Sequence, residues 1–257
     1  PVQFTVTAGD GSVTIYTITV IEQTTALPWC YEGTDMSGFA SAFAALEAGE
    51  YLISFTEGTR FTYADIYTLR ETLANQKSAK KLVRLDFTGC TFENNTVPKY
   101  AFSQPAKGQG VNCLLAVLLP EGITTIESFA FEHCVNLFAL ELPQTVTVIG
   151  DEAFLGCTRL NTLQIYRNVY GLGAWVFARF TKNQSIIMGR SEPAETWSPS
   201  WNYRCRAEIQ WADPEAAEEA AAGDTSGKDG DTLNAEGQET DTSDEDATPG
   251  TTAPENS

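Results

Sequence analysis

The sequence contains a single histidine, His133, so it offers few ways to build a catalytic centre. A Ser-His-Asp or Cys-His nucleophile needs an imidazole base, and any such site would have to use this residue. Cys134 follows it directly, but Gly156 stands at the equivalent position of an internal repeat. We therefore interpret His133 as an exposed structural histidine. The alternative, an enzyme, requires a deep cleft of titratable groups around it.

The six cysteines invite a metal-site or disulfide hypothesis. Zinc sites use close pairs such as Cys-x-x-Cys, and the sequence has no such pair. Instead, Cys90, Cys134 and Cys157 recur at defined repeat positions, where a thiol acts as a small hydrophobic group. Dinucleotide-binding, P-loop, H-E-x-x-H and EF-hand patterns are also missing from the sequence. We predict no catalytic residue, no metal and no cofactor, with a disulfide or metal role for the cysteines as the alternative.

The formal charge of −18 is concentrated at the carboxyl end of the chain. Residues 213–257 hold 14 acids against one base, Lys228, and the remainder of the chain is only mildly acidic. With no basic patch, binding to nucleic acid phosphates is disfavoured. The longest apolar run, Cys113–Leu119, is far shorter than the roughly 20 residues of a membrane-spanning helix. We predict no nucleic acid partner and no membrane insertion, and we expect any export signal to lie upstream of Pro1.

A repeat with a constant offset of 23 residues organises the middle of the chain. It is clearest between Leu119–Leu142 (LPEGITTIESFAFEHCVNLFALEL) and Leu142–Ile165 (LPQTVTVIGDEAFLGCTRLNTLQI). Such a unit is too short to bury its own apolar face, so copies must stack and share a core. The aligned pairs are Pro120 with Pro143, Ile123 with Val146, Ile126 with Ile149, Ala130 with Ala153, Phe131 with Phe154, Cys134 with Cys157, Leu137 with Leu160, and Leu140 with Leu163.

Weaker copies flank these two. A third copy places apolar residues and a glycine at the expected positions: Val169, Leu172, Gly173, Val176, Phe177, Phe180, Ile186 and Met188. Two earlier strands are predicted at Leu114, Val117 and Leu119, and at Leu82, Leu85 and Phe87. An insertion at Gln104–Gly110 separates the first of these strands from its own Ala101-Phe102 segment.

Each copy predicts one coil with a strand on one side and a tight return on the other. Alternation in Leu140-Glu141-Leu142 favours a short strand with both leucines inward. Successive strands then form a parallel sheet about 4.8 Å apart. We expect the phenylalanines of the return segment to stack as an aromatic spine of Phe102, Phe131, Phe154 and Phe177.

The pattern LPxx(V/I)xxIxxxAFxxCxxLxxLxL closely resembles the BspA-like leucine-rich repeats of bacterial surface proteins, including treponemal ones. The resemblance runs roughly from Leu82 to Met188, and LVRLDFTGCTFENNTVPKYAF (Leu82–Phe102) looks like the first repeat of that family. It implies an α/β leucine-rich-repeat solenoid with a parallel β-sheet on its concave face. It also implies an extracellular or cell-surface location and a protein partner, either a host extracellular protein or a bacterial surface protein.

The flanks extend this architecture. Alternating runs at Val2–Ala8 and Val13–Ile21 surround Gly9-Asp10-Gly11, which predicts a β-hairpin. This hairpin resembles the closing strands of cadherin-like or immunoglobulin-like sandwich modules. The predicted domains are a terminal hairpin of a truncated module (1–22), an α/β N-terminal cap (23–81), the repeats (82–190), a C-terminal β cap (191–212) and a disordered acidic tail (213–257).

Binding is predicted on the concave sheet, through the strand residues that do not face the core. These are Arg84, Asp86, Ala116, Leu118, Ala139, Glu141, Thr162, Gln164, Ser185 and Ile187. Leu118 and Ile187 are expected to be exposed apolar residues of a contact patch. The Gln104–Gly110 insertion is a second candidate surface. The leading hypothesis is adhesion to another protein without catalysis, and the alternative is a stalk or spacer that displays other domains.

Overall fold

The structure, a computed structural model, describes residues 26–32, 36, 38–75, 80–104 and 108–212, together with the backbone of two N-terminal strands, β1 (Val2–Thr7) and β2 (Val13–Ile18). These two strands pair antiparallel, with Val2 opposite Ile18 and Thr7 opposite Val13. The hairpin strands predicted from the alternation are therefore present. The turn at Gly9–Gly11 and the acidic tail predicted at 213–257 lie outside the described residues, and the truncated sandwich module stays a prediction.

From residue 27 onward the chain alternates between strands of a parallel sheet and return segments. The bounds are β3 Leu27–Tyr31, α1 Phe39–Ala44, β4 Gly49–Phe55, β5 Arg60–Phe61, α2 Tyr63–Ala74, β6 Lys81–Asp86, β7 Thr91–Phe92, a 3-10 turn Glu93–Asn95, β8 Thr96–Val97, β9 Ser103–Gln104, β10 Gln109–Gly110, β11 Leu114–Leu118, β12 Thr125–Ile126, β13 Ala139–Glu141, β14 Val148–Ile149, β15 Thr162–Ile165, β16 Gly171–Leu172, β17 Ser185–Met188 and β18 Glu208–Gln210.

Parallel pairing in register stacks these segments into coils. One sheet has the order β13-β11-β6-β4-β3, and a second has the order β15-β17-β18. In the second sheet, Ser185 pairs with Thr162 on one side and with Glu208 on the other, so the offset of 23 persists through the last strand. A third sheet, β16-β14-β12-β8, runs along the other side of the coils. The result is an α/β fold of mostly parallel strands with few helices.

The predicted aromatic spine is confirmed. The ring centroids lie 5.1 Å apart for Phe102 and Phe131, 5.6 Å for Phe131 and Phe154, and 6.2 Å for Phe154 and Phe177. All four rings are fully buried, and Trp201 meets Phe177 edge-on at 5.9 Å. Since each ring contacts its equivalent in the next coil, the spine carries the core from one coil to the next.

The segment predicted as an N-terminal cap supplies two strands to the same sheet as the repeats. β3 pairs with β4, and β4 pairs with β6, so the sheet crosses the predicted boundary after residue 81. Helix α2 begins with a capping box in which Thr62 and Asp65 satisfy each other's backbone N–H groups. Its buried face is Ile66, Leu69 and Leu73, which closes the coil on the side opposite the strands.

The strand predicted at Leu82, Leu85 and Phe87 is present as β6, which ends at Asp86. Leu82 is 40% exposed, whereas the neighbouring Val83 is buried. The strand alternates from Val83 to Leu85, which turns Leu82 outward. Pairing of Val83 with Leu114, ahead of a bulge before Ala116, fixes this register.

Two rows of left-handed residues shape the return turns. Phe129, Glu152 and Trp175 have φ of 62°, 54° and 57°, and His133, Gly156 and Arg179 have φ of 55°, 76° and 70°. Both rows keep the 23-residue spacing. The backbones are also close there, because a Cβ on Gly150 would lie 2.5 Å from the Ser128 nitrogen. The turn geometry is therefore repeated coil by coil, although the side chains differ.

Candidate protein-binding face

The outward side chains of the strands form two rows across the coils, which we call the sheet face. The first row is Leu52, Arg84, Ala116 and Ala139, continued by the register of the second sheet through Thr162, Ser185 and Glu208. The second row is Ser54, Asp86, Leu118 and Glu141, continued by Gln164, Ile187 and Gln210. All ten residues of the sequence-predicted site lie in these rows. The assignment of binding to them stays a prediction.

The two ends of the sheet face differ in character. The end formed by β4, β6, β11 and β13 is rich in apolar side chains: Leu52, Leu82, Ala116, Leu118, Phe138 and Ala139. The end formed by β15, β17 and β18 is mainly polar, with Ile187 as an exception. Leu118 and Ile187 are half-buried, less open than expected, while Leu82 is the most exposed of the apolar set.

An ion pair holds the apolar end together. The Arg84 Nε lies 2.6 Å from Glu50 Oε1, and the guanidinium stands over the Phe138 ring, 5.0 Å from its centroid. The Arg84 side chain is only 8% exposed, against 23% for Glu50. Its Nη1 is buried and has no hydrogen-bond partner among the described residues. Arg84 was predicted to be a surface contact, but its side chain is mostly buried against Glu50 and Phe138.

The remaining charges on the sheet face are acidic. Asp86, Glu141 and Glu208 form no ion pair with any base in the described part of the chain. The Asp86 Oδ1 accepts hydrogen bonds from the nitrogen and hydroxyl of Thr88, 3.0 and 2.7 Å away. Carboxylates around an apolar centre favour a partner that carries positive charge.

Sequence reasoning missed Glu50, Leu52, Leu82 and Phe138 as members of the same face. Glu50 and Arg84 are 34 positions apart, so only the pairing of β4 with β6 brings them together. Phe138 was recognisable in principle, because it occupies one of the two variable positions before Leu140 in the repeat pattern.

The Gln104–Gly110 insertion ends in a short antiparallel pair, β9 with β10, and its tip at residues 105–107 is outside the described residues.

His133 has a packing role in the return turns. Its Nε2 lies 3.2 Å from Nη1 of Arg179, two coils further on. Its ring covers Gly156, where an added Cβ would be 2.5 Å from His133 Cδ2. On the other side of the ring, Nδ1 lies 3.5 Å from Glu132 Oε1. The ring and its Nε2 therefore bridge three coils, while the buried Nδ1 has no hydrogen-bond partner among the described residues.

The buried thiols are suited to the core and not to nucleophilic chemistry. Cys134 and Cys157 donate to the carbonyl oxygens of Phe102 and Phe131, at 3.2 and 3.0 Å. Burial raises the pKa of Cys134 to about 12, and burial raises the pKa of Cys157 well above its ordinary value. Burial also raises the pKa of Cys90, to about 11. A thiol that stays protonated at neutral pH is a weak nucleophile and a poor metal ligand.

Comparison with known families agrees with the geometry. The family model for the BspA type leucine rich repeat region (6 copies) matches residues 86–194 of this chain. This chain carries a BspA-type leucine-rich-repeat region. No curated protein matches the chain. BspA-type repeats are typically found in surface-associated proteins, and leucine-rich-repeat domains commonly act as scaffolds that bind proteins.

The matched region covers the three copies and the strand β11 that the spacing identified, and it includes only the last residue of β6. The match begins at Asp86, inside β6, and ends at Ala194, after β17. Within the described residues, no helix combines the length and apolar character needed to cross a membrane. The same residues contain no cluster of three or more histidine, cysteine or carboxylate side chains placed to hold a metal ion.

Proposed function

We propose that this chain is a non-catalytic adhesion scaffold on a bacterial surface, which binds a host or neighbouring bacterial protein through the apolar end of its sheet face. The observation that carries the proposal is the placement of Leu82, Leu118 and Phe138 around a supported Arg84, on a sheet of stacked coils. Apolar side chains gathered on one rigid surface are typical of protein contacts.

The chemistry of the chain supports a binding role without a catalytic step. His133 is engaged by Arg179 and covers Gly156, and the neighbouring Cys134 thiol has a pKa of about 12. An imidazole and thiol so held do not form a nucleophile–base pair. The acids Asp86 and Glu141 beside Leu118 favour a partner segment that combines apolar and basic residues.

A binding experiment tests this proposal. The full chain is passed over immobilised extracellular-matrix proteins and over bacterial surface extracts, and binding is followed by surface plasmon resonance. Leu118→Asp replaces an apolar side chain of the sheet face, between Asp86 and Glu141, with a charge, so we expect it to weaken binding by about tenfold or more. Ile187→Asp, at the polar end, is expected to have a smaller effect.

The matched control is Tyr170→Asp, which makes the same change to aspartate at an exposed residue outside the sheet face. It is expected to leave binding unchanged. Equal loss with Tyr170→Asp, or no loss with Leu118→Asp, contradicts the assignment of the contact to the sheet face. If the chain binds nothing while deletion of whole coils shortens the reach of the protein, the stalk or spacer role replaces adhesion.

A further inference from the structure

A separate row of side chains runs along the return turns, away from the sheet face. We call this row the outer ladder. It consists of Tyr100, Phe129, Glu152, Trp175 and Tyr203. The first four share a left-handed backbone, with φ between 54° and 62°. Phe129, Glu152 and Trp175 are spaced by 23 residues and lie on three adjacent coils, since Phe129 N donates to Asp151 O and Glu152 N donates to Ala174 O.

The ladder is aromatic at both ends and interrupted once. Tyr100 stacks on Phe129 with ring centroids 4.9 Å apart, and Trp175 stacks on Tyr203 at the same distance. Trp175 and Tyr203 are 40% and 45% exposed. Glu152 stands where the next ring of the stack would be. Because adjacent coils are about 4.8 Å apart, Phe129 and Trp175 are separated by roughly 10 Å, and the Glu152 side chain, which is smaller than an aromatic ring, stands between them.

The acidic side chains around this gap favour a positively charged ligand. The carboxylates of Glu132 and Asp151 are near Glu152, and burial together with these two charges raises the pKa of Glu152. Within the described residues, no lysine or arginine forms an ion pair with Glu152. Cations of the chain itself already lie over rings of the ladder: Lys99 Nζ is 5.3 Å from the Tyr100 ring and 5.5 Å from the Phe129 ring, and the Arg204 guanidinium is 5.5 Å from the Tyr203 ring.

We infer that Phe129, Glu152 and Trp175 form a slot for an arginine side chain of a partner protein. The guanidinium is planar and always charged, so it stacks between the two rings while its N–H groups donate to the Glu152 carboxylate. The slot rests on the proposed protein-binding function but uses a different face. It adds an arginine-selective contact to a surface that the repeat pattern leaves variable.

The test uses the full chain, labelled with ¹⁵N, and arginine blocked at both ends as the probe. The indole N–H signal of Trp175, assigned with Trp175→Phe, is expected to shift in a saturable way. Blocked citrulline, which has the same planar shape without the charge, is expected to give no saturable shift. Reading the signal of one residue separates the slot from weak association of the probe with acidic residues elsewhere.

Two variants decide the role of Glu152. Glu152→Gln keeps the shape of the side chain and is expected to weaken arginine binding about fivefold, as for a partly exposed ion pair. Glu152→Phe completes the stack, so the arginine response should disappear while the thermal midpoint does not fall. The matched control Glu195→Gln changes an exposed acid outside the ladder and should not alter binding.

The inference is overturned if Trp175 does not respond, if citrulline binds as well as arginine, or if Glu152→Gln binds arginine unchanged. Failure of the slot is distinguishable from failure of the sheet-face proposal. Leu118→Asp should weaken partner binding and leave the Trp175 response intact, whereas Glu152→Gln should reduce the response with the sheet face unaltered.

Discussion

At Gly156 a backbone requirement and a packing requirement coincide. The residue has φ of 76°, which disfavours any side chain, and a Cβ would lie 2.5 Å from Cδ2 of His133. His133 in turn reaches Arg179 on the coil beyond. The absence of a side chain at Gly156 therefore lets a histidine on one coil contact an arginine two coils away.

We predict that Gly156→Ala lowers the free energy of unfolding by about 2 kcal/mol, from the left-handed backbone and the displaced His133 ring together. Gly122→Ala is the matched control, because Gly122 has φ of 95° but nothing within 4 Å of its added Cβ. Its cost should be about 1 kcal/mol, from the backbone alone. Urea unfolding measures the free energy of unfolding of both variants. Equal losses would show that the contact with His133 does not contribute to stability.

At the scale of the strands, β6 is the element that joins the N-terminal coils to the repeats. It pairs with β4 on one side and β11 on the other, and its Arg84 forms an ion pair with Glu50 on β4. The two partners are not equally buried, since the Glu50 side chain retains 23% exposure and Arg84 only 8%. If the pair is broken, water can solvate the more exposed Glu50 carboxylate far more readily than the buried Arg84 guanidinium.

The expected result is an asymmetric double-mutant cycle. Glu50→Ala leaves a buried guanidinium unpaired and should cost about 3 kcal/mol of unfolding free energy. Arg84→Met fills the space beside Phe138 and should cost about 1 kcal/mol or less. The double variant should resemble Arg84→Met alone. Chemical denaturation of the four proteins checks the cycle, and a larger loss for Arg84→Met than for Glu50→Ala would contradict this view of the pair.

At the scale of the whole molecule, the coils form a linear array in which each contacts its neighbours. Removal of one complete coil should therefore leave the rest able to stack. In a chain lacking residues 120–142, Ala116–Leu118 would pair with Thr162–Gln164 in the register that β13 now provides. Phe102 would then stack on Phe154, and the spine would continue to Phe177.

We expect the variant without residues 120–142 to fold cooperatively, with a denaturant m-value lower by about a tenth because less surface is exposed on unfolding. A deletion of half a coil, residues 120–131, is the control. It moves every later residue out of register and should give an unfolded or aggregated protein. Circular dichroism during urea unfolding distinguishes the two. Similar behaviour of both deletions would show that register between coils does not control stability.

The sequence by itself determined the repeat, its period and the spine of Phe102, Phe131, Phe154 and Phe177. It could do so because every coil buries the same small set of positions against the same set in its neighbour. The spacing of the apolar residues therefore predicts which residues form the core. The hairpin alternation and a β element within 191–212 were also recognisable. Each of these depends on contacts that are local in sequence or repeated at a fixed interval.

Only the tertiary structure decided which residues share a surface. Leu82 turned outward because β4 and β11 fix the register of β6, and a bulge in β11 has no signature in the repeat pattern. Glu50 met Arg84 from 34 positions away, and Trp175 stacked on Tyr203, which lies outside the 23-residue spacing. These juxtapositions arise from pairing between distant segments, where the energy belongs to the sheet and the stack and not to any single stretch of chain.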